Sequence, residues 1–194
     1  VEVGLFERIP CDALFPMHNM PGHPRGTLLR REGPMMAASE NITITLRGIG
    51  GHGAMPQHAA DPVVAGSAIV MGLQTIVSRN VAPLQMSVIT VGAFQAGQAN
   101  NVIPHEATLK LSVRSLDREV HRMLLRRIDE LARLQAQSYG VQATVDFQGG
   151  YPVLVNTRAE TDFARQVAVE LAGADAVTLQ AEPLTGSEDF AFML

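Results

Sequence analysis

Cysteine is almost missing: Cys11 is the single one in 194 residues, so no internal disulfide framework can staple the chain. That scarcity accords with a reducing cytoplasm, and Cys11 itself reads as a buried structural thiol or a bystander. Charge of one sign is lacking too. Fifteen Lys and Arg stand against 19 Asp and Glu, a net of −4, which gives no electrostatic footprint for nucleic acid or an anionic membrane. A small molecule or another protein is the partner expected. The apolar run VVAGSAIVMGL falls short of the ~20 residues a membrane helix needs and is followed by polar residues. The strings VEVGLF and DFAFML at the two ends are apolar and carry no initiator Met or targeting segment, so they read as cut from something longer. What the chain does have is length and apolar content, 46% hydrophobic, enough to bury a core.

Patterning predicts the elements. In NITITLRG, Ile42, Ile44 and Leu46 alternate with Thr43, Thr45 and Arg47, the period of a half-buried strand. Asp61 followed by Pro62 starts a helix through VVAGSAIVMGLQTIVSRN. LQMSVITVGAFQAG and EATLKLSVRS read as two further strands, the second with Ala107, Leu109, Leu111 and Val113 on one face. Asp117 caps a second helix that closes at Gly140, and VQATVDFQ reads as a fourth strand. The order is β-α-β-β-α-β, a ferredoxin-like α+β unit in which two helices cover one face of a four-stranded antiparallel sheet. A later helix, residues 157–172, carries Thr157 and Glu160 in capping-box spacing, and AVTLQ offers a short strand. These pieces and the N-terminal stretch have no place in the four-stranded unit. The division expected is residues 1–37, 38–152 and 153–194, with the middle one inserted between two parts of another domain.

Several side chains are candidates for chemistry. His18, in LFPMHNMPG, follows an apolar run at what reads as a strand end, and is either structural or a metal ligand or base; no second ligand stands near it in sequence. His52 lies in GIGGHGAMPQHAADP, residues 48–62. That loop is either a hinge with an incidental polar residue or a display that leaves N–H groups open and frees the imidazole to donate toward an oxyanion. Asn100 and Asn101 sit at a sharp connection, where turn chemistry is the plain alternative. Arg114 ends a strand on the face opposite its apolar residues, as a solvated charge or as a fork for a substrate carboxylate. Ser187, Glu188 and Asp189 are either a helix cap or carboxylates near a metal. His58 and His105 read as exposed loop residues and His121 as part of a solvated helix face.

Seven strings, HNMPG, GGHGAMP, DPVVA, QTIVSRN, NVIP, VRS and GSEDF, fall in the order and approximate spacing of one family. The chain thereby resembles, over essentially its whole length, the hippurate hydrolase and N-acyl-amino-acid amidohydrolase branch of the zinc-peptidase superfamily that includes aminoacylases and glutamate carboxypeptidases. The resemblance implies an α/β catalytic domain with a site for two divalent metal ions, zinc or manganese, present here only in part. It also implies an inserted lid that makes a homodimer. By similarity His18 matches a metal-binding histidine, and His52 the lid histidine that stabilises a tetrahedral oxyanion in the partner subunit. Asn101 and Arg114 match residues that orient an N-acyl amino acid substrate. The family's other metal ligands and its general base would lie outside these 194 residues, which leaves the chain with an incomplete metal site and no expected turnover by itself. Gln57 departs from the family pattern, which carries a histidine there. The competing expectation is a non-catalytic dimerisation or small-ligand-binding module of the same fold.

Overall fold

Alternating branched residues pair into one sheet in a register that hides Ile42, Ile44 and Leu46 together with Leu109, Leu111 and Val113. The computed structural model describes residues 4–178 and 180–193. Residues 1–3, Leu179 and Leu194, which belong to the terminal strings and to AVTLQ, lie outside the described residues. Two compact units divide the chain: Ala38–Gly150, and Val1–Ala37 with Tyr151–Leu194.

In the first unit β1 (Ala38–Arg47) is followed by α1 (Pro62–Asn80), β2 (Ser87–Ala96), β3 (Glu106–Ser115), α2 (Arg118–Ser138) and β4 (Gln142–Phe147). The sheet order is β2-β3-β1-β4, and every neighbouring pair is antiparallel. Ile42 stands opposite Leu111 and Phe147, and Ile44 opposite Leu109 and Val145. The register of β2 shifts between Val91 and Ala93, a bulge that returns Phe94 and Ala96 to the face they share with Leu109 and Ala107. On that face α1 contributes Ala65, Ile69, Leu73 and Ile76 to the core, and α2 contributes Leu124, Ile128, Ala132 and Ala136. Full burial of a side chain such as Ile44 or Leu109 stabilises the unit by about 1.5–3 kcal/mol. The other face is polar, with Ser39, Asn41 and Thr43 opposite Arg114, Ser112 and Lys110.

Both helix starts form as their sequences predict. Asp61 accepts from the Val63 and Val64 amides and Asp117 from those of Glu119 and Val120, satisfying donors that the first turn leaves open. At the end of α2, Gly140 takes φ +69° while the Val141 amide donates to Ala136 and the Gly140 amide to Gln137, a Schellman close. With 19 residues α1 has the length and apolarity to cross a membrane, yet Ala65, Ile69, Leu73 and Ile76 along it are fully buried against the sheet and α2. Its opposite stripe leaves Val64 and Met71 exposed.

The second unit pairs Leu28–Leu29 in parallel with Val177–Thr178 and Gly33–Met36 antiparallel with Leu154–Asn156. Helix α3 (Arg158–Ala172) belongs to it. Its small core gathers Met36, Leu154, Phe190 and Ala191.

Four expectations change. Cys11 is exposed, which removes the buried-thiol alternative. His18 is not at a strand end, since residues 10–27 form no helix or strand. His121 is not on a solvated face: it is half-buried with its Nδ1 enclosed and without a hydrogen-bond partner. The Thr157 hydroxyl donates to the Glu160 carboxylate and accepts from no backbone amide of the first turn, so the reciprocal capping box does not form.

Candidate functional site

The glycine loop is pinned at its base and displayed at its tip. Ile49 and Ala60 exchange backbone hydrogen bonds, and the Gly48 amide donates to His105. Gly51–His52 then forms a two-residue strand against Val102–Ile103, and the Gly53 amide donates to the Asn101 carbonyl at 2.8 Å. The amides of Gly48 and Gly53 are therefore occupied and not open, contrary to the expectation drawn from composition. The glycines serve close approach instead: a Cβ on Gly53 would meet the Asn101 backbone at 3.2 Å, and one on Gly48 would lie 2.0 Å from the Ala60 carbonyl oxygen. His52 and Asn101, far apart in sequence, thus belong to one short ribbon. His58 and His105 are exposed, as their loops predict.

His52 is exposed, and its Nδ1 accepts a hydrogen bond from the Ala54 amide at 3.1 Å. An amide N–H has a fixed proton, so Nδ1 must hold a lone pair; the neutral ring then carries its proton on Nε2. The imidazole is accordingly presented as a neutral N–H donor on the solvent side of the loop. Arg114, at the end of β3 on the polar face, pairs across the sheet with Ser39 and Val88. It is half-buried, and its Nε reaches the Ser112 hydroxyl at 3.4 Å. A guanidinium is a planar fork of the shape that carboxylate recognition uses.

In the second unit, His18 Nδ1 lies 2.5 Å from Glu188 Oε2. The partner that local sequence could not supply thus comes from a position 170 residues away. Glu188 also begins the 3₁₀ turn Asp189–Phe192, with its Oε1 accepting from the Phe190 amide at 3.4 Å. A hydrogen bond shared with the Asp189 carboxyl, and then the one from His18, hold Glu188 below the usual carboxylate range. The pair suits one donor position of a metal centre, because a ring whose Nδ1–H is given to a carboxylate keeps its Nε2 lone pair. Among the described residues no group of three or more His, Cys, Asp or Glu side chains is placed to hold an ion. The described residues therefore fit one donor of a metal site and not the complete set.

Residues 37–140 match the family model described as a peptidase dimerisation domain. The chain is 40% identical over 192 residues to hippurate hydrolase from Campylobacter jejuni, covering 99% of this chain and 50% of that protein. It is 39% identical over 187 residues to N-acetyldiaminopimelate deacetylase from Enterococcus faecalis, covering 94% and 48%. Among solved structures, the YXEP protein of Bacillus subtilis, titled a dinuclear metal binding peptidase from the M20 family, superposes with a TM-score of 0.70 at 29% identity, covering 91% of this chain and 43% of that one. The chain spans about half the length of the curated relatives it matches.

Proposed function

The chain belongs to the M20 peptidase dimerisation-domain family, and from that premise we propose that Ala38–Gly150 is a ferredoxin-like lid inserted into an α/β metallopeptidase-like catalytic domain, of which the flanking residues are parts. The full-length parent hydrolyses the amide bond of N-acyl amino acids or small peptides. The hippurate hydrolase and deacetylase relatives support this substrate class, and the 194-residue chain by itself is inactive. Two divalent metal ions, zinc or manganese, would supply polarisation of the scissile carbonyl and activation of water when bound. His18 is one of their donors.

The chain's own residues do the rest. His52 donates its Nε2 proton as a hydrogen bond to the oxyanion that develops in the partner subunit, Arg114 takes the substrate carboxylate in a forked contact, and Asn101 orients the substrate from the same ribbon as His52. The observation that carries this reading is the Ala54 amide on His52 Nδ1. It presets the donor tautomer before substrate arrives, so no proton need be rearranged as charge builds on the carbonyl.

The homodimer forms through α1 and the edge strand β2. Val64 and Met71 on α1 are exposed, as are Val88 and Phe94 on β2, and β2 has an unpaired side.

Mixed dimers test the assignment. Full-length His52→Ala protein is expected to lose on the order of 10²–10³ in turnover with its melting temperature nearly unchanged. Heterodimers of that variant with a subunit lacking metal ligands should regain activity, since one intact site then receives one intact histidine. Verified heterodimers that stay inactive would remove the trans role. A second reading, a non-catalytic dimerisation or small-ligand-binding module, draws on the family match being confined to residues 37–140; it predicts that His52→Ala leaves turnover untouched.

A further inference from the structure

We propose that Glu188 is the positioning residue for His18: its carboxylate accepts a hydrogen bond from Nδ1–H and leaves Nε2, with its lone pair, as the nitrogen available to a divalent metal ion. The inference rests on His18 being a metal donor, as proposed above, and adds the residue that prepares it.

Three observations carry it. His18 comes from residues 10–27, where no helix or strand fixes a side chain, so its ring orientation must come from a contact. Glu188 supplies that contact at 2.5 Å and is the better anchored of the two, with its side chain 18% exposed against 50% for His18. The anchoring has a visible cause: Glu188 begins the turn whose Phe190 and Ala191 are buried in the small core with Met36 and Leu154, and its second oxygen receives the Phe190 amide. One oxygen thus ties the carboxylate to the fold and the other holds the imidazole.

The consequence for the ring is chemical. An Nε2–H tautomer would turn the Nδ1 lone pair onto a carboxylate oxygen, lone pair against negative charge. The Nδ1–H tautomer replaces that repulsion with a charge-assisted hydrogen bond. Glu188 therefore selects the tautomer and fixes the ring plane. Sequence spacing hides this relation, because the two residues are adjacent only after folding.

The test uses full-length protein with zinc as the probe. Competition with a chromophoric chelator should show Glu188→Ala binding zinc about 10–100-fold more weakly than the parent. Glu188→Gln, whose amide oxygen still accepts from Nδ1, should lose less and serves if the alanine variant fails to fold. Imidazole nitrogen chemical shifts of metal-free protein give a readout that a merely structural role would not move: His18 should carry its proton on Nδ1 in the parent and shift toward Nε2–H in Glu188→Ala. A parent ring protonated on Nε2, or an alanine variant with both tautomer and zinc affinity unchanged, overturns the proposal. His18→Ala separates the two levels. If it binds zinc as tightly as the parent, the donor reading of His18 fails and the proposal with it. If it loses zinc while Glu188→Ala does not, only the role of Glu188 falls.

Discussion

Gly48 shows how a single missing Cβ lets the candidate loop exist. The obstacle a side chain would meet is the Ala60 carbonyl oxygen at 2.0 Å, part of a backbone held by two hydrogen bonds to Ile49, so no rotamer change can relieve it. Gly48→Ala is expected to destabilise the protein by roughly 2–3 kcal/mol, the upper part of the range for overpacked sites. Urea denaturation of parent and variant measures it, and a change under about 0.5 kcal/mol, the size of an ordinary surface substitution, would mean that the loop has room to move. At the same scale the His52 tautomer follows from one contact, the Ala54 amide on Nδ1. No inspection of Gly-His-Gly as a string reveals that contact.

Among the elements, α2 carries an internal tension. Its core residues Val120, Leu124 and Ile128 are buried, and His121, beside the first of them, is drawn in far enough that its Nδ1 is enclosed without a partner. Burial lowers its pKa below the usual histidine value, since a charged imidazole loses hydration there. The unfolded chain therefore takes up a proton near pH 6.5 that the folded chain resists. Stability is fully present above that pH and declines as pH falls from the unfolded pKa through the lower folded one. His121→Gln should flatten this decline. Urea unfolding of both proteins at pH 7.5 and pH 5.5 checks it, and equal losses on acidification would rule out His121 as a source of the acid sensitivity.

For the whole molecule, the question is what covers the apolar stripe of α1 and the edge of β2. If a second copy does, Met71→Glu in full-length protein buries a charge at that contact and should raise the dimer dissociation constant by at least about tenfold, equivalent to 1.4 kcal/mol or more. Sedimentation velocity over a dilution series reads this directly, and an unchanged dimer would move the interface elsewhere. The prediction is independent of the chemistry at His52.

Much of the fold was legible because local rules and tertiary packing agree. Alternation in NITITLRG and EATLKLSVRS set strands whose apolar faces do meet, and Asp61, Pro62, Asp117 and Gly140 marked the helix ends with the caps that form. The candidate residues were legible as types, but their pairings were not. Thr157 and Glu160 had capping-box spacing and yet bond to each other, and His121 had the polarity of a surface residue and is half-buried.

By itself the amino-acid order determined the main strands and helices of Ala38–Gly150, the caps at Asp61, Asp117 and Gly140 and the β-α-β-β-α-β succession, because periodicity, capping and turn chemistry act over a few residues. Only the tertiary structure decided that Glu188 meets His18 across 170 positions, that Asn101 and His52 share a ribbon, and which nitrogen of each imidazole is engaged. The first two are contacts between distant segments, which have no signature in sequence until folding brings the partners together, and the His52 contact depends on the conformation the loop takes once it is pinned.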